Sequence, residues 1–526
     1  MEVILSNKSG WHVNDALSVR GYCFDATGKY YSGKDLLSYF DGVADESFFI
    51  SRLREANGLF AVIVHTPQFE AVAVDRLRTV PLFYTVTGQV SDNPDILSFS
   101  SSLDSLAVDF YLASGAVLPG HTLINDVQQV VPGNFVVWKD RQWKSIPYCN
   151  YLCEKGGEIT VTLPELQKTI DSVFNRLIAS AEGRQLVVPL SSGNDSRLIL
   201  CQLHRLGYKN VVCYTVTGPD DEEWLVAHET AVHLGYPHYR ISPQDDEVRA
   251  LCGIGGPRFE QYYKYVGCYT NFVWLFEYAA ICVLKSKGVI ASDAVFVPGH
   301  SGDSIAGSHI GKAHVTPRDD ARSLACKMAH ISFEYGTNKT VLRYLNNYFE
   351  QMLSAGISSF SAYQNWIVQH RQAHNIVNSI RAYTFFGYEV RLPLWDNALY
   401  DTFAHLPYEA LYACRLYTQY VNKTFQQYGI PLSEPKKSMA SWKVRLKILF
   451  GPLKKWHTRL KGISPTDRLG EWALAQPLYN ELVAKKGEKA VKCLSQANDL
   501  IMSWYLMKVQ EFLSLFQTNA NQNHHL

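Results

Sequence analysis

The run Val187-Val188-Pro189-Leu190-Ser191-Ser192-Gly193-Asn194-Asp195-Ser196-Arg197 carries the strongest chemical signal in the chain: a buried-type strand, a turn of small residues, then a helix start. Small side chains let the backbone come close to an anion. Consecutive N–H groups and the helix N-terminus behind them supply positive potential, and Asp195 offers a hard oxygen ligand for a divalent cation. The design is that of a pyrophosphate cradle. It lacks the Gly-Lys-Ser/Thr ending of a Walker loop, so the ordinary mononucleotide motif is excluded. The plainer reading is a serine-capped helix following a core strand.

A second segment stands out by charge. Between Lys436 and Lys461 there are nine Lys or Arg and no acid, interleaved with Trp442, Leu446, Ile448, Leu449, Phe450 and Trp456. Such a segment suits an anionic membrane surface or an anionic sugar nucleotide. The alternative is a surface helix pair covering a domain core with solvated lysines. No basic fold motif accompanies it, so no nucleic-acid partner is expected.

The elements that must position these residues change character along the chain. The first 150 residues hold short β-type runs between turn signals, at Phe60–Val64, Ala71–Val74, Leu82–Val86 and Phe135–Trp138, which predicts a layered, β-rich domain. From about Leu163 a helical run to Ala181 leads into a strand at Leu186–Leu190, a helix from Ser196 and a strand at Val211–Val216. That alternation predicts a parallel α/β sheet with right-handed crossovers. Beyond residue 310 helices dominate, notably Phe360–Ala382 and Leu411–Gln427. We therefore expect domains at 1–155 and 156–440, followed by a basic, then helical, extension at 441–526.

Composition bounds the rest. At 526 residues the chain exceeds one core, and 47% hydrophobic against 19% charged residues marks a folded protein rather than a disordered one. Fifty basic against 49 acidic residues leave no whole-molecule field, so any electrostatic function is local. The 11 cysteines are scattered; the closest pair, Cys149 and Cys153, lacks the two-residue spacing common in zinc and redox motifs, which predicts ordinary buried thiols in a cytoplasmic protein. The N-terminus carries no signal-peptide pattern. Phe272–Leu284, with Glu277 inside, is too short to span a bilayer and reads as a buried helix.

The Leu190–Ser196 turn resembles the SGGxDS pyrophosphate loop of the asparagine synthetases and related ATP pyrophosphatases, with Ser192 in place of the first Gly. Tyr214–Gly218, with Glu222, Glu223, Ala227 and His233-Leu234-Gly235, looks like that domain's second strand and helix. Pro298–Gly307 is similar to the family's SGEGADExFGG loop, with Gly299, Asp303 and Gly307 in register. Gly387–Asp396 is similar to its GxExRxPFLD segment. In the N-terminal third, Asn57–Ala61, Asp75-Arg76, Pro81–Tyr84 and Thr122–Gly133 resemble the glutaminase domain's motif series. The resemblance covers roughly residues 1–440. It implies an Ntn-type glutaminase-like domain followed by an ATP pyrophosphatase domain of the adenine nucleotide α-hydrolase type, and a ligase that adenylates a carboxylate with ATP and Mg²⁺, then forms an amide with release of AMP and pyrophosphate. It further implies Asp195 and Asp303 as Mg²⁺ ligands, Ser191, Ser192, Gly193 and Ser196 as the phosphate cradle, and Leu190, Val216, Pro298 and Gly299 as nucleotide contacts. Lys436 or Lys437 sits where the family often has a pyrophosphate-contacting lysine, although a solvated pair reads equally well.

The pattern breaks in two places. A glutaminase of this class needs an N-terminal cysteine whose α-amine serves as base. Here position 2 is Glu2, no cysteine precedes Cys23, and the oxyanion Asn-Gly pair is replaced by Arg20-Gly21. Glutamine hydrolysis by this chain is not expected, and ammonia, free or from a separate glutaminase, is the expected nitrogen source. The second break is His300, at the position of the family's acidic Glu; a neutral imidazole can accept a proton from an attacking amine, or the residue is merely structural. The favoured acceptor is a sugar carboxylate of a surface-polysaccharide pathway. The alternatives are an intramolecular cyclase of the lasso-peptide or β-lactam type, which the Gly-His-x-Gly-Asp turn resembles, and a non-catalytic nucleotide-binding scaffold.

Overall fold

Alternating apolar positions fold the first part of the chain into two facing, largely antiparallel sheets. The computed structural model describes residues 1–6, 10–99, 102–149, 152, 160–218, 221–333, 335–432, 470–491, 494 and 496–523, with side chains as far as Ser514. The strands are β1 Glu2–Val3, β2 His12–Val13, β3 Leu17–Phe24, β4 Tyr30–Ser32, β5 Asn57–His65, β6 Glu70–Val74, β7 Phe83–Thr85, β8 Gln89–Ser91, β9 Val127–Gln129, β10 Asn134–Lys139 and β11 Gln142–Pro147. One sheet runs β11-β10-β6-β5-β3-β2, with β4 on β3; the other runs β1-β8-β7-β9. Ala61, Ile63, Val72 and Val74 face Tyr84, Val90 and Val130 between the sheets. The alternate residues Phe60, Val62 and Val64 face the helices Asp35–Phe40 and Glu46–Glu55, whose Phe40 stacks 5.7 Å from Phe60.

The following region is a five-stranded parallel sheet of β12 Leu186–Pro189, β13 Val211–Val216, β14 His238–Ile241, β15 Val295–Phe296 and β16 Glu389–Val390, in the order β14-β13-β12-β15-β16. The chain winds outward from β12 through two helical crossovers, Asn194–Arg205 and Glu222–His233, then returns to lay β15 on the other side of β12. This reversal leaves a crevice between the loops after β12 and β15, where open α/β sheets bind ligands. The molecule is thus β-rich first, parallel α/β second and helical toward the C-terminus, as the sequence predicts.

Two predicted helices prove irregular. The 360–382 run is helical throughout, but Ile367–Ile376 is a π-helix and Val377–Ile380 a 3₁₀ turn. The 411–427 run is broken: Ala413 and Cys414 take left-handed φ values of 56° and 57°, and the regular helix is Arg415–Gln427. The break lets the chain cross Gly311, where an added Cβ would lie 2.7 Å from Ala413 Cα. Phe272–Leu284 falls largely in the helix Leu275–Ser286, buried along its length. Among the described residues no helix is long and apolar enough to cross a membrane, and every free thiol except Cys326 is buried.

The C-terminal helices Glu471–Lys486 and Ala497–Asn523 pack on each other. The second also packs against Ser105–Ser114 of the N-terminal part, and Tyr269 N–H donates to Tyr505 Oη at 2.9 Å. One continuous apolar core runs from Leu17 to Leu513. The expected domain boundaries at 155 and 440, Lys436, Lys437 and the whole 436–461 basic segment lie outside the described residues.

Candidate active site

The turn after β12 is tied to itself by hydroxyls. Ser191 N–H donates to Ser196 Oγ at 3.1 Å, the two Oγ atoms are 3.1 Å apart, and Gly193 N–H donates to Ser191 Oγ at 3.2 Å. The helix starts at Asn194, two residues before the expected Ser196, and its N-cap, Gly193, makes no side-chain cap. The serine-capped reading is therefore replaced by a helix start with no side-chain cap, a terminus whose positive potential suits phosphate oxygens. Leu190 is buried. Its N–H donates to Tyr214 O at 2.8 Å and its carbonyl accepts from Thr215 Oγ1 at 2.6 Å, which fixes the cradle to β13.

The loop after β15 approaches from the other side of the crevice. A Cβ on Gly299 would lie 2.6 Å from Ser196 N, so only glycine permits this contact. Ser301, at φ 66°, turns the chain into the short helix Gly302–Ile305, and Asp303 N–H donates to Asp195 Oδ2 at 3.2 Å. The fold thus joins two loops 108 residues apart. Tyr417 Oη, from the helix Arg415–Gln427, donates to Asp195 Oδ1 at 2.7 Å.

Electrostatics makes this pair of carboxylates unequal. Burial, then the charge of Asp303, push the Asp195 carboxyl up to about 7. Burial works the same way on Asp303, but Lys312, with Nζ at 3.2 Å, and then His309 outweigh it and hold that carboxyl below its ordinary value. The charged form of Asp195 is therefore one its surroundings do not balance. No group of three or more His, Cys, Asp or Glu that could hold a metal occurs among the described residues. Two neighbouring hard carboxylates are the donor type that suits Mg²⁺, which needs few protein ligands.

His300 is half-buried, with Nε2 3.0 Å from Ser379 Oγ, and burial pushes its imidazole down to about 4. It is neutral at physiological pH. Pro298 and Gly299 stand in the same loop, Val216 ends β13, and Ser192 is half-buried at the tip of the first turn. The predicted residues of the two loops, with Val216, are brought to one crevice; the predicted lysines are not among the described residues.

Several site residues escaped sequence reasoning. Tyr417, Lys312 and Ser379 are reached only through the fold, and no motif marks them. Ser301 Oγ donates to Gln372 Oε1, whose amide lies 3.1 Å from His309 Nε2, so the π-helix buttresses the second loop; such irregular turns recur at functional sites. In the N-terminal sheets, Arg20-Gly21 lies inside β3. A Cβ on Gly21 would lie 2.0 Å from Leu59 O, so the glycine serves strand contact. Arg20 pairs with Asp92 at 3.8 Å, and burial drives the Cys23 thiol far above its ordinary range.

A strand, a turn of small residues and a helix meet at the switch point of a parallel sheet, the place where open α/β folds bind ligands. A family model described as asparagine synthase matches residues 167–513, about two thirds of the chain, and ends within the C-terminal helix. The chain belongs to the asparagine synthase family, whose reaction is ATP-dependent amide formation. A comparison with curated proteins finds no match.

Proposed function

We propose that this chain adenylates a carboxylate at the crevice between the loops after β12 and β15 and passes the acyl group to an amine. The acceptor carboxylate attacks the α-phosphorus of ATP, pyrophosphate leaves, and the amine then displaces AMP and loses a proton. The observation that carries this reading is the 3.2 Å contact between Asp303 N–H and Asp195 Oδ2, which unites the cradle and the second loop. Asp195 and Asp303 would hold Mg²⁺, which when bound neutralises charge developing on pyrophosphate. Ser191, Ser192, Gly193, Ser196 and the uncapped helix start receive the phosphates; Leu190, Val216, Pro298 and Gly299 border the nucleotide. Neutral His300, fixed through Nε2 by Ser379, takes up the proton of the attacking amine with its remaining nitrogen.

Ammonia is the nitrogen source in this reading, free or delivered by a separate glutaminase. The N-terminal sheets offer Cys23 and Cys149 as buried thiols raised by burial, neither suited to nucleophilic attack. A sugar acid of surface-polysaccharide synthesis is the proposed acceptor class. The test incubates the full chain with ATP, Mg²⁺, ammonium and a panel of carboxylates, uronic-acid sugar nucleotides included. AMP and pyrophosphate in equal amounts with an amide product are expected. ADP as product, or bound ATP that yields no AMP with any acid, would overturn the proposal.

A further inference from the structure

A second polar cluster, separate from the crevice, lies in the seam between the N-terminal sheets and the helices that follow. Arg78 and Arg381 are among the most deeply buried charged residues of the molecule, 2% and 5% exposed. Arg78 follows β6, Arg381 follows the 3₁₀ turn, and both reach the segment Gly267–Asn271. Arg78 Nη2 donates to Thr270 Oγ1 at 3.2 Å; Arg381 Nη2 donates to Tyr265 O and to Cys268 Sγ at 3.3 Å. Asn271 Nδ2 donates to His374 O at 2.7 Å, bringing the π-helix to the same segment.

The donors then outnumber the acceptors. Arg78 Nε and Nη1, Arg381 Nε and His374 Nδ1 are buried and have no partner among the described residues. Gln129 Nε2 donates to His121 O at 2.5 Å, and His374 Nε2 lies 2.8 Å from Gln129 Nε2 and 3.1 Å from Gln129 Oε1. Three guanidinium nitrogens are thus left without an acceptor, beside an unpartnered His374 Nδ1.

Nearby anionic charge is already committed. The Asp75 carboxylate accepts from Phe60, Leu77 and Thr79 N–H and from Thr79 Oγ1, and has no bond to the Arg78 guanidinium. Burial, then the like charge of Arg381, push Arg78 down to about 9. Arg381 rests on the Tyr265 ring, 4.3 Å from its centroid, but no carboxylate pairs with either guanidinium among the described residues, and buried cations without a counter-charge are costly. The backbone is unusual as well, since Arg78, Cys268 and Tyr269 have φ of 56°, 44° and 57°, in the left-handed region that side chains rarely adopt.

We propose that the seam between Arg78, Arg381 and His374 is a binding site for one small monovalent anion, chloride or a carboxylate of similar size, which locks the N-terminal sheets to the α/β region. The occupant must be small because both guanidinium groups are enclosed. It satisfies N–H groups from both sides of the seam and supplies the missing negative charge.

The test compares thermal unfolding of the full chain in gluconate, chloride, bromide and acetate at constant ionic strength. A saturating rise in Tm with chloride or acetate over gluconate is expected, and the stronger of the two arms identifies the natural source. Arg381→Gln and Arg78→Gly should abolish that dependence. A bromide-soaked crystal should show an anomalous peak within hydrogen-bond distance of Arg78 Nε and Arg381 Nε, a readout that needs no variant. Equal Tm in all four salts, an undiminished dependence in Arg381→Gln, or water alone at the seam would overturn the site.

Discussion

Asp195 is the residue on which the proposed chemistry turns. Asn removes its charge and keeps one acceptor oxygen, for Tyr417 Oη or for Asp303 N–H but not for both. Asp195→Asn should leave folding intact and slow AMP formation by about 10²-fold or more, the scale for losing a charge-stabilising group; single-turnover release of pyrophosphate measures it. In the proposed reaction His300 acts at the second step. For His300→Ala we expect unchanged pyrophosphate release and amide formation slowed by roughly 10²–10⁴-fold. A histidine held down at about 4 is unprotonated throughout the range above pH 5. The wild-type to variant rate ratio should therefore stay flat between about pH 6 and 8, and a limb near the ordinary histidine value would refute the lowered imidazole. At this scale the sequence was informative where chemistry is local. The small-residue turn Ser191–Ser196, proposed to take the phosphates, is legible in residue types alone. Tyr417, Lys312 and Ser379 were hidden because their roles come from proximity across the fold, and nothing in a tyrosine or lysine on its own helix announces a distant carboxylate.

The strand-turn-helix unit and the loop after β15 meet through a contact that tolerates no side chain. Gly299→Ala should push the loops apart, since its Cβ would lie 2.6 Å from Ser196 N with backbone on both sides. We expect loss of ATP affinity by calorimetry and a stability cost of about 1–3 kcal/mol, the usual penalty for overpacking. Elements with strong periodicity were readable in advance: β13 at Val211–Val216 and the helix ending at Ala181 stand where the pattern put them. The π-helix Ile367–Ile376 was not. Its residues have ordinary helical propensity, and the wider turn is imposed by buried partners such as Ser301 and Gln129, which meet Gln372 and His374 only in the folded state.

The C-terminal helix joins the two halves, and Trp504 is its largest fully buried side chain at 1% exposed, with Nε1 donating to Glu481 Oε2 at 2.7 Å. Trp504→Ala should cost about 3–5 kcal/mol, seen as a lowered denaturation midpoint, and should weaken both halves together because their core is continuous. The GxExRxPFLD-like segment has the same linking role. Arg391 lies 4.1 Å over the Tyr22 ring and donates to Tyr30 Oη at 2.8 Å, while Asp396 takes two hydrogen bonds from Arg176. The sequence alone determined the class of each region and the strand-turn-helix order around Ser191–Ser196, because hydrophobic period and local backbone geometry are properties of a few neighbouring residues. Tertiary structure decided that Asp303 meets Asp195, that Arg20-Gly21 lies inside β3, and that Arg78 and Arg381 share a seam. Those facts depend on which distant segments pack together, and packing is a property of the whole chain.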